Sequence, residues 1–199
     1  MNPRGMTLVE LLVTLVMTSV VMAGVYKLVI GQAKAYHAQE QVVELQQSIR
    51  NAMDQMVSDI RMAGYDSDSS TSKIVIDQPV TPGSTQLSIS YEYDDATEFA
   101  VTYRLDGDDL FKQITLIKDT GVSNTQEEIL LDGVDNLGLS YGLDTNNDGV
   151  VDSWVSASGV MSKVIAIRVQ LSVHPLNPDL KGFSSRGLES VVTLRNRIL

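Results

Sequence analysis

Apolar residues follow two successive patterns in the first third of the chain. Residues 11–26 carry no charge and are mostly large and apolar, so with their apolar neighbours they approach the ~20 residues that span a bilayer. Within residues 42–63, apolar side chains recur every three or four positions, which predicts one buried stripe on a helix. No proline lies between Met6 and Gly64, and Gly64 is well placed to end the helix. The two patterns together predict a single helix from about Met6 to Ala63.

Beyond Lys73 the pattern changes to an alternation of apolar and polar residues, which is typical of half-buried strands. The predicted strands are Lys73–Ile76, Gln86–Tyr93, Glu98–Leu105, Leu110–Ile117, Glu128–Leu131, Leu137–Leu143, Lys163–Val173 and Leu188–Arg195. The segment Asp106-Gly107-Asp108-Asp109 indicates a hairpin turn between two of them. The expected fold class is therefore α+β, with an antiparallel sheet packed on the second half of the long helix.

Composition and charge exclude several functions. The 199 residues include 15 Lys and Arg against 25 Asp and Glu, a formal charge of −10, so nucleic-acid binding has no electrostatic support. Cysteine is absent, which excludes disulfides, thiolate catalysis and cysteine–zinc sites. The two histidines, His37 and His174, lie in a helical stretch and at the end of a strand, and no phosphate-binding glycine motif occurs. The sequence therefore predicts a protein that is not an enzyme.

One carboxylate interrupts the apolar N-terminal segment. Glu10 precedes the uncharged run, and a carboxylate within a membrane-spanning helix is costly and functional by default. It is the fifth residue after Gly5, and Arg4 favours a cytoplasmic N-terminus. A simpler interpretation is that Glu10 lies near the helix end and reaches the membrane interface. An ordinary secretory signal fits less well, because its apolar region is shorter, at about 7–15 residues.

The segment Arg4-Gly5-Met6-Thr7-Leu8-Val9-Glu10-Leu11-Leu12 resembles the class III signal of type IV prepilins and type II secretion pseudopilins. The resemblance implies cleavage between Gly5 and Met6 by a membrane prepilin peptidase, followed by N-methylation of Met6. The family usually has phenylalanine at the position of Met6, which is also apolar. The expected fold is then a pilin fold, divided into a leader peptide (1–5), a transmembrane and filament-core helix (6–30), an amphipathic continuation (31–64) and a β-rich head (65–199).

Glu10 has an assembly role in this interpretation. A carboxylate buried among apolar helices needs a partner, and the new N-terminal ammonium of a neighbouring subunit supplies one. The resemblance implies a single-pass protein of the bacterial inner membrane with its head in the periplasm, which later enters an extracellular pilus filament. The implied partners are other minor and major pilins, the prepilin peptidase, the inner-membrane assembly platform and, before assembly, membrane lipid, with no nucleic acid.

Three further segments are similar to the PilW-like branch of minor pilins. They are Asp59–Tyr65, Leu139–Asp144 and Val192–Arg197. The resemblance implies a minor pilin of a type IV pilus that helps to start pilus assembly near the tip. Two alternatives stay open, a J-type minor pseudopilin of a type II secretion system and a single-pass anchored binding protein of the periplasm.

The head contains one candidate ligand site, the acidic loop of residues 144–152. Its sequence, Asp-Thr-Asn-Asn-Asp-Gly-Val-Val-Asp, fits the first nine positions of an EF-hand-like calcium loop. The calcium ligands would be Asp144, Asn146, Asp148, the Val150 carbonyl and Asp152. Val155 replaces the usual bidentate glutamate, so binding would be weak, on the order of 10⁻⁴–10⁻³ M. The alternative is a solvated turn held by its own Asx side chains, which needs no metal.

Overall fold

The computed structural model describes residues 7–66, 76, 78–121, 123–156, 163–175 and 185–196. They form α1 (Leu8–Met62), β1 (Val80–Pro82), β2 (Gln86–Asp94), β3 (Thr97–Asp106), β4 (Asp109–Lys118), β5 (Ser123–Leu131), β6 (Val134–Leu143), β7 (Ser153–Val155), β8 (Val164–Val173) and β9 (Arg186–Thr193). The chain divides into two compact units, one ending at Val43 and the other beginning at Glu44.

Helix α1 is continuous through Gly24 and Gly31, which are its weakest positions because glycine costs ~1 kcal/mol relative to alanine in a helix. It ends where predicted, because Gly64 adopts a left-handed conformation with a φ of 71°. The Gly64 N–H donates to the Ser90 carbonyl at 2.9 Å, so the chain passes directly from the helix end to the edge of β2.

The last turns of α1 supply one wall of the head core. The predicted stripe is buried at Ile49, Ala52, Met56, Ile60 and Ala63, and Met53 joins it. Val42 and Leu45, at the start of the predicted stripe, are only half-buried. Because these helical residues belong to the core, the compact head unit begins at Glu44, well before the head boundary at residue 65 that we expected.

The first sheet contains β1 to β5 in sequence order, and every neighbouring pair is antiparallel. One face of this sheet lies in the core. In β2 and β3, the buried residues of that face alternate with residues that face away from the core. The buried side chains on that face are Leu87, Ile89, Val101, Tyr103 and Leu110. The strands β1 and β5 form the two edges of the sheet.

The second sheet has the strand order β7-β6-β8-β9, again antiparallel throughout. Its central strand β8 shows the alternation predicted from the sequence, since its core face is buried and Arg168, Gln170 and Ser172 face the other way. The core-facing residues of β8 are Ile167, Val169, Leu171 and Val173. Helix α1 and both sheets contribute to one continuous core.

The predicted fold class, α+β with a long N-terminal helix and antiparallel strands, is confirmed. The strands form two sheets, where we expected one. Six of the predicted strands correspond to β2, β3, β4, β6, β8 and β9, with ends shifted by up to three residues. Strand β5 begins at Ser123 rather than Glu128, and β1 and β7 are additional. Of the predicted strand Lys73–Ile76, only Ile76 lies within the described residues, and it is buried.

Candidate functional site

Glu10 lies in the first turn of α1, and its side chain is exposed. Its N–H donates to the Thr7 Oγ1 at 3.3 Å, which makes Thr7 the N-cap of the helix. This cap is not among the features predicted above, although the Thr-x-x-Glu spacing is the sequence signature of a capping box. The predicted processing residues Gly5 and Met6 lie outside the described residues.

The first unit exposes a long apolar surface. Large apolar side chains between Leu8 and Ile30 are exposed, from 77% for Leu8 to 38% for Ile30. Within the described part of the chain, α1 is the one helix long and apolar enough to cross a membrane. The hydroxyls of Thr14, Thr18 and Ser19 do not interrupt the apolar surface, because each donates to a backbone carbonyl one turn earlier at 2.7–3.0 Å. A surface of this kind needs a cover, either lipid or other apolar helices.

The acidic loop is closed by its own side chains. Asp144 is 1% exposed, and its two carboxylate oxygens accept the N–H groups of Asp148 at 3.2 Å and Gly149 at 2.9 Å. Asp148 accepts the Val150 N–H at 2.8 Å, and Asn146 accepts the Asp148 N–H at 3.0 Å. These bonds between Asx side chains and the backbone turn the chain without a metal ion.

The side chain of Lys163 contacts the beginning of the same loop. The Lys163 ammonium donates to the Thr145 carbonyl at 3.1 Å, and the Thr145 N–H donates to Asp152 at 2.7 Å. Hydrogen bonds from the Thr145 side chain and backbone lower the pKa of the Asp152 carboxyl, with a smaller contribution from Lys163. Within the described residues, no group of three or more His, Cys, Asp or Glu side chains is placed to hold a metal ion. The predicted calcium donors therefore share one loop, but its carboxylates already accept hydrogen bonds, and calcium binding stays a prediction.

The segment Asp59–Tyr65 ties α1 to the first sheet. The Tyr103 hydroxyl donates to Asp59 at 2.5 Å, and the Lys112 ammonium lies 3.1 Å from the same carboxylate oxygen. Burial and the neighbouring Asp59 charge raise the pKa of Tyr103, so its hydroxyl stays protonated and keeps donating. This small polar cluster fixes the helix against β3 and β4.

Gly64 brings the helix end against Asn196, which lies just after the end of β9. A Cβ atom at Gly64 would overlap the carbonyl oxygen of Asn196 and would lie 3.1 Å from the Pro79 Cβ. The Asn196 amide also donates to the Arg61 carbonyl at 3.5 Å. Two of the segments that resemble PilW-like proteins, Asp59–Tyr65 and Val192–Arg197, therefore meet in the fold, although Arg197 itself lies outside the described residues.

The third segment, Leu139–Asp144, connects the two sheets. The buried Tyr141 hydroxyl donates to the Gly83 carbonyl at 3.0 Å, and the Gly83 N–H donates back to it at 3.2 Å. Burial raises the pKa of Tyr141 to about 12. A Cβ at Gly142 would lie 3.0 Å from a Val151 methyl, so the glycine lets the acidic loop pack on β6.

The two histidines take part in surface pairs. The His174 Nδ1 lies 2.7 Å from the Asp135 carboxylate beside the second sheet, and both side chains are about one-third exposed. His37 lies exposed on α1, 3.6 Å from Glu40. These positions suit surface contacts and give neither histidine the enclosed setting of a catalytic base.

Two family models match this chain, one at its start and one in its head. The prokaryotic N-terminal methylation motif matches residues 1–26, which include Gly5, Met6 and Glu10. The model of the type IV pilus-assembly protein W matches residues 98–189, from β3 into β9. The chain belongs to the type IV pilin and pseudopilin family. Within it, the protein is a PilW-like minor pilin, and the families matched are structural rather than enzymatic.

One solved structure similar to the pilin is a chain of the GspK–GspI–GspJ complex from the type 2 secretion system of enterotoxigenic Escherichia coli. The identity is 13% and the TM-score 0.46, and the match covers 75% of the pilin and 97% of the solved chain. A similarity at this level does not distinguish a pilus from a secretion system. No curated protein matches the pilin.

Proposed function

We propose that this minor pilin is cleaved between Gly5 and Met6, anchored in the bacterial inner membrane by α1, and then transferred into a type IV pilus. The proposal rests on the exposed apolar surface of Leu8–Ile30, which contains a single carboxylate, Glu10, in the first turn of the helix. Lipid covers this surface before assembly, and the apolar helices of neighbouring pilins cover it afterwards. The head is periplasmic before assembly, and the inner-membrane assembly platform moves the subunit into the filament.

Glu10 guides the incoming subunit by pairing with the N-terminal amine of a neighbour. Among the described residues, no ion pair includes Glu10, and its own N–H is already bound by Thr7. A carboxylate that enters a helix bundle without a partner costs about 3–5 kcal/mol, so the amine supplies a strong and specific attraction. The pairing would act only in the filament, where water and lipid headgroups are excluded.

The pairing can be tested with two isosteric substitutions on the same helix. We expect Glu10→Gln to lower the amount of the pilin in sheared pili by at least about tenfold, because the lost ion pair exceeds 1.4 kcal/mol. Glu40→Gln, which also removes one exposed helical charge, should leave incorporation unchanged. Normal incorporation of the Glu10→Gln variant would overturn the pairing.

Processing is tested by the mass of the mature chain taken from membranes. We expect an N-methylated chain that starts at Met6. A chain that starts at Met1 would contradict the proposal, because the leader would still be attached and the Met6 nitrogen would remain in a peptide bond.

A J-type pseudopilin of a type II secretion system is the second candidate, because the N-terminal methylation motif serves both systems. Deletion of the protein separates the two functions. We expect loss of pili with normal protein secretion, followed by recovery of pili when the wild-type chain is restored. Loss of secretion with normal pili would assign the protein to the secretion system.

A further inference from the structure

The four edges of the two sheets differ in how well they are protected against added strands. Strands β1 and β7 have three residues each, and β1 ends on Pro82. Short strands and proline are common means of preventing edge-to-edge pairing. Strand β9 lies between residues 176–184 and 197–199, which the structure does not describe. Strand β5 is nine residues long and contains no proline, and no described strand pairs with its outer edge.

Strand β5 is exposed on both of its faces over most of its length. Residues Ser123 to Ile129 are all exposed, and burial begins only at Leu130. A strand without a buried face gains little from packing, so its order depends on the backbone bonds to β4. Its outer edge, which pairs with no described strand, presents a second row of N–H and C=O groups, which is the template for strand addition.

On the outer face of the sheet, a row of neighbouring residues formed by Arg104, Phe111 and Ile129 ends at this edge. The Arg104 guanidinium lies 4.9 Å from the centre of the Phe111 ring, and Phe111 is paired with Ile129 of β5. Ile129 is 54% exposed although it is a large apolar residue. An added strand would continue the row with an apolar side chain beside Ile129, as cross-strand neighbours do.

The charges at the same edge favour a basic partner. Strand β5 contains two carboxylates, Glu127 and Glu128, and no basic residue. Arg104 lies 3.0 Å from Glu127 but also pairs with Asp106, so Glu127 and Asp106 share one cation. Glu127 lies two residues before Ile129 and on the same face, so the added strand would place a Lys or Arg beside it.

A second copy of the same strand is a poor partner. In the antiparallel register that pairs all nine residues of two β5 strands, Glu127 faces Glu127 of the other copy. Like charges that face each other directly across a strand pair are destabilising. The carboxylates therefore act against self-association while they leave the edge open to a segment of opposite charge.

We propose that the outer edge of β5 receives an extended segment of another pilin, with a basic residue beside Glu127 and an apolar residue beside Ile129. Backbone hydrogen bonds supply the affinity, and the two side-chain positions supply the specificity. The identity of the partner as a pilin rests on the proposed function, whereas the chemistry of the added segment does not.

The test places a photo-crosslinking amino acid at Gln126, in the middle of β5, in cells that assemble pili. The matched control places it at Gln86, an exposed glutamine of β2 in the same sheet. We expect an adduct from Gln126 at least about tenfold more abundant than from Gln86. The adduct should map to a segment of another pilin with a Lys or Arg two residues from an apolar residue.

Charge variants decide whether the carboxylates select the partner. We expect the double variant Glu127→Lys, Glu128→Lys to lower the adduct yield about tenfold, and the neutral double variant Glu127→Gln, Glu128→Gln to lower it less. Trp154 fluorescence in a urea titration confirms that the head of each variant folds. Unchanged yield in the folded Lys variant would overturn the proposal.

The remaining outcomes of the crosslinking experiment test strand addition at β5 separately from the proposed pilin function. No adduct from Gln126 in pili that contain the pilin, or an adduct with a second copy, would overturn strand addition and leave the pilin function intact. An adduct with a basic segment of a protein outside the pilin family would overturn the partner's identity. A pilin that forms the adduct but never enters pili would count against the proposed function alone.

Discussion

Helix α1 is apolar in both of its halves, but the two halves differ in what covers them. Between Ile49 and Ile60 the apolar stripe is buried by the sheets of the same chain, and Met56 and Ile60 are fully buried. Between Leu8 and Ile30 the apolar residues surround the whole helix and are exposed. A helix that is apolar on one side belongs to its own domain, whereas one that is apolar all around needs a cover from outside the chain. The following experiments test this difference.

The largest expected effect is a core truncation in the buried half. We expect Ile60→Ala to lower the free energy of unfolding of the head by about 2–5 kcal/mol, because it leaves a cavity beside both sheets. Leu12→Ala, in the exposed half, should leave it unchanged. Urea unfolding of the full chain in detergent micelles, monitored by Trp154 fluorescence, measures the free energy of unfolding of both variants. Equal losses would mean that the exposed half also belongs to the head core.

The junction between the helix and the head gives the next largest effect. Gly64 and Gly107 both have a left-handed backbone, with φ of 71° and 62°. Alanine at Gly107 meets nothing within 4 Å, so we expect only the backbone cost of about 1–2 kcal/mol. Alanine at Gly64 also overlaps the Asn196 carbonyl, so the loss should be clearly larger. Similar unfolding midpoints for the two variants would contradict the close approach of helix end and last strand.

Alkaline pH should lower the stability of the head and leave the exposed half of α1 unaffected. Burial raises the pKa of Tyr91 and of Tyr141 to about 12, above the ordinary value of ~10. Because the pKa of each tyrosine is higher in the folded chain than in the unfolded chain, the protonated tyrosine stabilises the fold. This contribution is complete below pH ~10 and is lost as the pH rises towards 12. We expect the unfolding midpoint of the head to fall across that interval. The fall should be smaller in Tyr141→Phe and unchanged in Tyr36→Phe, whose residue is exposed on the helix.

The smallest expected effect is that of calcium on the acidic loop. We expect calcium to bind with a dissociation constant on the order of 10⁻⁴–10⁻³ M and to change Trp154 fluorescence, because Trp154 follows Asp152 by two residues. Asp148→Ala should remove the signal, and Asp54→Ala, which removes the same charge from α1, should not. A titration that gives no heat and no fluorescence change would leave the loop as a metal-free turn.

The helix and the long strands could be predicted because their residues face two different environments. The alternation in β8 and the stripe from Ile49 to Ala63 both arise because one side of the strand or helix lies in the core and the other does not. Strand β5 was predicted too short, since Ser123 to Glu127 are polar on both faces and carry no alternation. Strands β1 and β7 are too short to show a pattern, and the separation into two sheets depends on contacts such as Tyr141 with Gly83 that no local pattern reports.

The candidate sites could be predicted only as far as their chemistry is local. The spacing of Gly5, Met6 and Glu10 predicts a processing and assembly signal, and the N-terminal methylation motif matches a range that includes all three residues. The acidic loop shows the opposite case. Its spacing fits calcium, but the same side chains can bind the backbone, and only the positions of atoms around Asp144 show that they do so here.

The contact of Asn196 with Gly64 also implies an order in which the helix and the head are completed during synthesis. Val192 and Leu194 complete the core, and the Leu194 N–H donates to the Ile165 carbonyl at 2.8 Å. A head whose core includes Leu194 cannot finish folding until that residue has been synthesised, since its core contacts are distant in sequence. The apolar helix precedes these residues in the chain and leaves the ribosome before them. The chain is therefore ready to be recognised by its helix while its head is still incomplete.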